Sequence, residues 1–426
     1  MSLASASLPE KQIVLGAASG PARQLLSINA FHYRRGGADN VYLDHARLMG
    51  ERGWATSFFA TRHPENLPSA DSQYFAEESD FALGGSLSQR LIQSSRIIYS
   101  FEARRKLARM LDAVPVDLAH VHNIYHHQSP SILVELKRRG IPVVLTAHDL
   151  KLACPAYTML NSSGICESCK GGRYWNVVRN RCIKGSLPAS TVIMLEMMLH
   201  RTLDIYARHV DRIVVPSRFY RDKLISWGVD AAKLVYIPNF IRPVHGLKAQ
   251  TGGRHILYFG RLSKEKGVMT LIRAAANAGV EVQIAGRGPQ EAELRAEAEA
   301  LNAPVRFLGF RTGADLVEII DAARAIVLPS EWYENSPLSA LEALQRGKPL
   351  IGARIGGIPE LIEENRTGWL FESGNVSALA TVLADVSALP ETRLSDMAAE
   401  CRAFISRNHS EDGYFEAMQA LYRSLL

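Results

Sequence analysis

Ala325-Ile-Val-Leu-Pro-Ser-Glu-Trp-Tyr-Glu334-Asn-Ser-Pro337-Leu-Ser-Ala-Leu-Glu342-Ala343 is the stretch on which the fold class turns. Four apolar residues read as a buried strand and a short polar loop follows. Pro337 at a first helical position, with Asn335 and Ser336 as capping candidates, then opens a helix. Strand, loop and helix in that order form the unit of a parallel sheet wound by helices, and the unit recurs. His255–Phe259, Val280–Ala285, Val305–Leu308 and Pro349–Ala353 are strand-like, with helical patterns at Gly267–Ala278 and Gln290–Leu301 among them. Earlier in the chain Gln24–Phe31, Ala119–His122, Pro142–Ala147 and Arg212–Pro216 read the same way, with a helical pattern at Ser131–Arg139. The expectation is an α/β protein of two Rossmann-like, doubly wound parallel-sheet domains facing across a cleft, with functional residues on the loops after strands. Pro243, Gly246, Gly252 and Gly253 interrupt every period between Ile241 and Arg254, which marks the linker.

Size agrees with two cores, since 426 residues at 47% apolar exceed a comfortable single domain. The segments expected are a flexible 1–20, a first domain at 21–242 carrying a Cys-rich insertion at 150–185, and a second domain at 243–407. A terminal helix at 408–426 completes the chain. No apolar run reaches the roughly eighteen residues of a bilayer span, and Met1–Glu10 lacks a secretory pattern. A cytoplasmic protein is therefore expected. The net charge of +6 is uneven, with +10 on residues 1–242 and −4 on the remainder. A basic first half suits anionic lipid head groups or a phosphorylated acceptor, or is simply a solvated face. No aromatic platform or reading helix accompanies it, so nucleic acid is not an expected partner.

Free amides at the start of the helix after Ser336 carry partial positive charge and can hold a diphosphate without a metal. Glu334 ahead of that helix and Glu342 inside it can grip paired sugar hydroxyls; the alternative reading is a dipole-paired acid and a surface acid. Phe259-Gly-Arg261-Leu-Ser-Lys-Glu-Lys266-Gly267 follows a strand, so Arg261 and Lys266 can neutralise a departing diphosphate. Gly36-Gly37 lets backbone approach a phosphate or sugar closely, or is an ordinary turn. Gly356-Gly357-Ile-Pro-Glu360 opens another helix, with Glu360 as a contact candidate. No D-x-D triplet occurs, so no catalytic metal is expected. His122, after a first-half strand, is aimed toward ligand or is structural; His120 is the neighbour expected to be buried. Asp149 orients His148, binds acceptor hydroxyls, or closes an Asx turn.

Taken together, Gly36-Gly37, Arg261 with Lys266, Gly286 in Ala-Gly-Arg-Gly-Pro, the E-x7-E pair Glu334 and Glu342, and Gly356-Gly357-Ile-Pro-Glu360 resemble the family 4 glycosyltransferases. The resemblance runs from about Leu25 to Phe371. It implies a GT-B fold, a nucleotide-diphosphate-sugar donor, and transfer with retention of configuration to a glycan, lipid-linked or small-molecule acceptor. It further implies that Glu334 contacts the transferred sugar, Glu342 the ribose, Arg261 and Lys266 the diphosphate, and His122 the donor sugar and acceptor. Gly36, Gly37, Gly286, Asn335, Ser336, Pro337 and Leu338 complete the implied donor site, and His148 and Asp149 stand on the acceptor side. The last helix, near Tyr414–Leu426, is implied to cross back onto the first domain. A nucleotide-sugar epimerase or phosphorylase of the same fold, or a non-catalytic zinc-containing protein binding glycan or nucleic acid, are the alternatives.

Cys154-x11-Cys166-x2-Cys169-x12-Cys182 supplies four soft ligands around a tight knuckle, and the expectation is a closed structural zinc site. Cys401 is expected to be merely buried. The Met-rich run Ile193–Leu199 is expected to be core, with docking on an anionic membrane as the alternative.

Overall fold

A computed structural model describes residues 23–78, 87–244, 253 and 255–426. The segment 1–20 and most of the expected linker lie outside the described residues. The chain divides into two compact units: an N-terminal one that runs to Ile237 and includes Phe415–Leu426, and a C-terminal one from Pro238 to Tyr414.

The N-terminal unit is built on β1 (Gln24–Ile28), β2 (Ala55–Phe59), β3 (Leu118–Val121), β4 (Val143–Thr146), β7 (Arg212–Val215) and β8 (Leu234–Tyr236). These form a parallel sheet in the order β2-β1-β3-β4-β7-β8. Between β4 and β7 lies the Cys-rich segment, which contains a two-residue antiparallel hairpin, β5 (Leu160–Asn161) and β6 (Gly164–Ile165). The C-terminal sheet holds β9 (Ile256–Phe259), β10 (Val282–Ala285), β11 (Val305–Gly309), β12 (Ala325–Leu328), β13 (Leu350–Ala353) and β14 (Gly368–Phe371). Its order is β11-β10-β9-β12-β13-β14, also parallel. Both sheets thus reverse direction of winding once, at β1/β3 and at β9/β12.

Burial on both faces explains why the inner strands read as unbroken apolar runs. Ile256 and Tyr258 of β9 pack with Val268, Leu271, Leu294 and Leu379 on one face. Leu257 and Phe259 pack with Leu316, Ile320, Leu341 and Phe404 on the other. Each such side chain removed from water contributes about 1.5–3 kcal/mol. Within the two parallel sheets, the three strands absent from the sequence expectation, β2, β8 and β14, all lie at sheet edges. There one flank is solvated and the apolar run is short or broken by Thr56, Ser57 and Gly368.

The helix Leu187–Thr202 corrects the reading of the Met-rich run. Its buried side carries Ile193 and Met197 but also Glu196 and His200, while Leu195, Met198 and Leu199 remain 49%, 48% and 40% exposed. The run is half core and half surface. Cys401 is fully buried, as expected.

Candidate active site

In an open parallel sheet, ligands sit beyond the carboxyl ends of the strands where the order reverses, because the two loops there diverge and leave a crevice. In the C-terminal unit those loops follow β9 and β12. After β9 the chain turns through Gly260–Gly267 into the helix Val268–Ala278; after β12 it runs through Pro329–Pro337 into the helix Leu338–Gln345. The loops meet at Lys266 and Glu334, whose Nζ and Oε1 are 2.6 Å apart. The Ser330 hydroxyl donates to the same Oε1 at 2.8 Å, and the Lys266 ammonium lies 5.0 Å from the centre of the Trp332 ring. Burial pushes the Glu334 carboxyl up, but the Lys266 charge and these hydrogen bonds outweigh it and hold the group ionised, below the usual carboxylate range. Arg261 is exposed, and its guanidinium makes no hydrogen bond or ion pair among the described residues.

Glycines bring these backbones together. Gly267 (φ 65°) passes so close to the Pro329 carbonyl that a Cβ would overlap it, and a Cβ at Gly356 (φ 60°) would likewise clash with the backbone of Glu334. The Gly357 N–H donates to the Glu334 carbonyl at 2.8 Å, which ties the loop after β13 to the acid. Gly286, after β10, donates its N–H to Gly309 O at 2.8 Å, and a Cβ there would strike the Gly260 carbonyl. Pro337 is the capping residue rather than the first helical one, and neither Asn335 nor Ser336 caps the helix, which has no side-chain cap. Leu338 is the first helical residue. Ser336 is buried, its carbonyl accepting from Asn239 Nδ2 at 3.1 Å, and its hydroxyl has no partner among the described residues. Glu342 is buried, not a surface acid, and Glu360 is half-buried on the turn Ile358–Leu361.

The N-terminal reversal, at β1/β3, opens a cavity of about 620 Å³ lined by Phe31, Arg35, Gly36 and Asp39 after β1, and by Asn123, Tyr125, His126 and His127 after β3. Asp149 and residues 156–158 and 182–184 close it. Asn29 pins the two loops together: its Nδ2 donates to Phe31 O and Asp39 Oδ1, both at 2.8 Å, and its Oδ1 accepts the Asn123 N–H at 3.1 Å. Gly36 is extended and precedes the helix Gly37–Glu51; Gly37 faces open space. Asp149 accepts the Lys151 N–H at 2.9 Å, an Asx turn, yet also lines the cavity, and burial raises its carboxyl to about 6. Asn29, Asp39, Tyr125 and His126 were not singled out in the sequence. Their signal is weak: Asn29, Tyr125 and His126 are polar residues within a few positions of a strand's carboxyl end, and Asp39 is an acid in the first turn of the helix after β1.

His122 is not aimed into the cavity. Its backbone N–H continues the ladder to Ile28 O at 2.8 Å, and its ring is wholly buried between those of His120 and His148, with centroids at 4.6 and 5.1 Å. His122 Nδ1 faces His148 Nε2 at 2.8 Å. His120 is fully buried, its Nδ1 against the Tyr422 hydroxyl of the last helix and its Nε2 2.7 Å from Thr146 Oγ1. Tyr422 also reaches His45 Nε2 at 2.9 Å. Burial drives this imidazole group downward, with His45 and His148 at about 3, so the stack is neutral. The His122 ring also meets that of Tyr42 edge-on, with centroids at 5.4 Å.

Cys154, Cys166, Cys169 and Cys182 fall in one neighbourhood as free thiols. Burial, reinforced by the charges of the neighbouring sulfurs, pushes Cys169 up to about 12 and Cys182 to about 11. Among the described residues no group of three or more His, Cys, Asp or Glu is arranged to hold a metal ion, so the zinc expectation finds no support there. Hydrogen bonds tie the segment down instead, including Cys166 N–H to Met159 O at 2.8 Å and Lys223 Nζ to Glu167 Oε1 at 2.5 Å.

Two sheets with these strand orders, each with its polar loops at the reversal, define a protein of the GT-B fold. Solved structures share it: sucrose-phosphate synthase from Thermosynechococcus elongatus superposes with a TM-score of 0.67 at 20% identity, covering 95% of this chain and 99% of that one. Anabaena HepE in complex with UDP and glucose gives 0.64 at 18% identity, covering 94% and 100%. The model of Glycosyltransferase Family 4 matches residues 35–244 and that of Glycosyl transferases group 1 matches residues 245–400. The chain belongs to the family 4, group 1 glycosyltransferases. Among curated relatives, glycogen synthase of Mycobacterium tuberculosis is 28% identical over 58% of this chain and 60% of its own. The amylovoran biosynthesis glycosyltransferase AmsK of Erwinia amylovora is 33% identical over 40% and 46%, and D-inositol 3-phosphate glycosyltransferase of Corynebacterium glutamicum 28% over 66% and 66%. The chain thus matches about 60% of the length of the first of these relatives and less than half of AmsK.

Proposed function

We propose that the protein is a retaining glycosyltransferase that moves a hexosyl group from a nucleotide-diphosphate-sugar to a hydroxyl of a glycan or lipid-linked acceptor. The observation that carries this reading is the β9/β12 reversal, where an uncommitted Arg261 guanidinium lies in the loop that ends at the Lys266–Glu334 pair. On binding, Lys266 exchanges its carboxylate partner for the diphosphate, and Glu334, relieved of that ammonium, turns its oxygens to the sugar hydroxyls. As the glycosidic bond lengthens, negative charge grows on the leaving diphosphate; Arg261, Lys266 and the first-turn amides after Pro337 stabilise it there. Glu342 holds the ribose. The incoming hydroxyl attacks from the leaving-group side and passes its proton to a diphosphate oxygen, which yields retention.

The acceptor is assigned to the cavity at the β1/β3 reversal, with Asp149 binding its hydroxyls. Relatives named for glycogen and amylovoran support a role in polysaccharide biosynthesis, and the UDP in the HepE structure makes UDP the first nucleotide to try. Among the described residues no helix is long and apolar enough to cross a membrane. Exposed Leu195, Met198 and Leu199 on a basic half of the chain support peripheral contact with an anionic cytoplasmic membrane face. The experiment is calorimetric titration of UDP and of a panel of UDP-sugars, followed by product analysis with and without acceptor. UDP binding that vanishes in Lys266→Ala supports the reading; equal affinity in the variant, or product formed without any acceptor, refutes it.

A further inference from the structure

Four aromatic rings meet beside the N-terminal cavity, brought there by the loops after β1, β2 and β3. Phe31 lines the cavity and is buried; the rings of Tyr33, His63 and His127 stand edge-on to it, with centroids at 5.6, 5.8 and 4.8 Å. Tyr33 and His63 lie nearly parallel, 4.6 Å apart with 16° between their planes, and both are half-buried. The two loops that carry this pair are laced together. The His32 N–H donates to Asn66 Oδ1 at 3.1 Å, the Leu67 N–H to His32 O at 2.8 Å, and the Thr61 N–H to Ala30 O at 2.9 Å. The stack is thus fixed by its backbone, and it stays partly in water although rings of this size gain free energy by leaving it.

Donors stand beside the rings. The Arg35 guanidinium lies 4.5 Å from the centre of the Phe31 ring, and neither it nor the Tyr33 hydroxyl makes a hydrogen bond or ion pair among the described residues. The cavity itself holds three carboxylates, Asp39, Glu78 and Asp149, against two cations, Arg35 and Lys184, a balance that disfavours a phosphorylated ligand and suits a neutral polyol. A pyranose has an apolar C–H face and a rim of hydroxyls, which call for a flat ring and for donors respectively. We infer that Tyr33 and His63 form a second sugar subsite: the acceptor is an oligosaccharide whose terminal residue enters the cavity and whose next residue lays its C–H face on this ring pair, with Arg35 donating to its hydroxyls. The inference rests on assigning the acceptor to this cavity, and it deepens that assignment. The acceptor class narrows to a neutral glycan of two or more sugars, rather than a monosaccharide or a phosphorylated head group.

Titration of the full chain, in the presence of UDP, with gluco- and galacto-oligosaccharides of one, two and three units, followed by ligand-observed NMR, tests it. In one of the two series the disaccharide is expected to bind about tenfold more tightly than the monosaccharide. Tyr33→Ala and His63→Ala are each expected to lose most of that gain and Tyr33→Phe to keep most of it, while monosaccharide and UDP affinities stay within about twofold of the wild type. Those steady affinities also report that the variants are folded. Wild-type affinity that does not grow with chain length in either series overturns the inference. So does a Tyr33→Ala variant that retains the gain, or one that loses monosaccharide and disaccharide binding equally. Chain-length-dependent binding without transfer from any UDP-sugar counts instead against the enzymatic reading and leaves the subsite standing.

Discussion

The two strand-order reversals solve the same topological problem with different materials. At β9/β12 the site is made of backbone: loops drawn together at Gly267 and Gly356, one ion pair, and an exposed arginine. At β1/β3 it is made of side chains: a cavity of about 620 Å³ with Asn29 bracing its loops, a stack of neutral imidazoles behind it, and the Lys151–Glu196 pair beneath. A diphosphate is the same in every sugar nucleotide, so fixed amides and cations suffice for it. A hydroxyl acceptor has to be told from other hydroxyls, which takes side chains from several segments.

Substitutions can break this contrast. Lys266→Ala and Glu334→Ala are expected to cost about 100-fold or more in kcat/KM with UDP-sugar donors. Wild-type turnover in either variant would remove the ionic pair from the chemistry. Gly356→Ala is expected to lose about 1–3 kcal/mol, since the side chain meets the Glu334 backbone in a left-handed conformation. Gly37→Ala, at a helix start facing open space, should stabilise by about 0.5 kcal/mol. Denaturant unfolding of the two variants checks the pair, and equal midpoints would erase the difference.

Acid provides a third comparison. Seven N-terminal histidines (His32, His45, His120, His122, His126, His148 and His200) are held below their ordinary value by burial, against His255 and His409 in the C-terminal unit. Depressed histidine pKa values mean that the unfolded chain binds more protons. Their contribution is therefore complete above about pH 6.5 and is lost as pH falls toward the folded values, about 4 for His32 and about 3 for His45 and His148. Asp149, raised to about 6, and Asp39 and Asp71, also raised by burial, oppose this. Calorimetry between pH 7.5 and 5 should show the N-terminal transition falling faster than the C-terminal one; parallel slopes would sink the point. The smallest effect expected is at the surface. Leu195→Ser/Met198→Ser should weaken sedimentation with anionic vesicles severalfold without altering UDP affinity, and unchanged sedimentation would leave that face without a membrane role.

Much of the C-terminal unit was legible because its elements are local. Val282–Ala285, Ala325–Leu328 and Leu350–Ala353 are apolar on both faces, and Arg261, Lys266 and Glu334 stand a few residues from strand ends. The N-terminal site was less so. His122 ends a strand just as a ligand-facing residue would, yet His120 and His148 enclose it, and only the positions of β4 and the last helix reveal that.

By itself the sequence determined two parallel sheets, their inner strands and the cluster of charge around Lys266 and Glu334, because periodicity and strand-end chemistry act over a few residues. Tertiary structure decided which side of Leu187–Thr202 goes inward. Glu196 and His200 are buried there while Leu195, Met198 and Leu199 stay in water, an inversion of the hydropathic order. The physical reason is that a charge can leave water only where partners from elsewhere meet it, and Lys151 and His126 are brought to Glu196 by the fold, not by proximity in the chain.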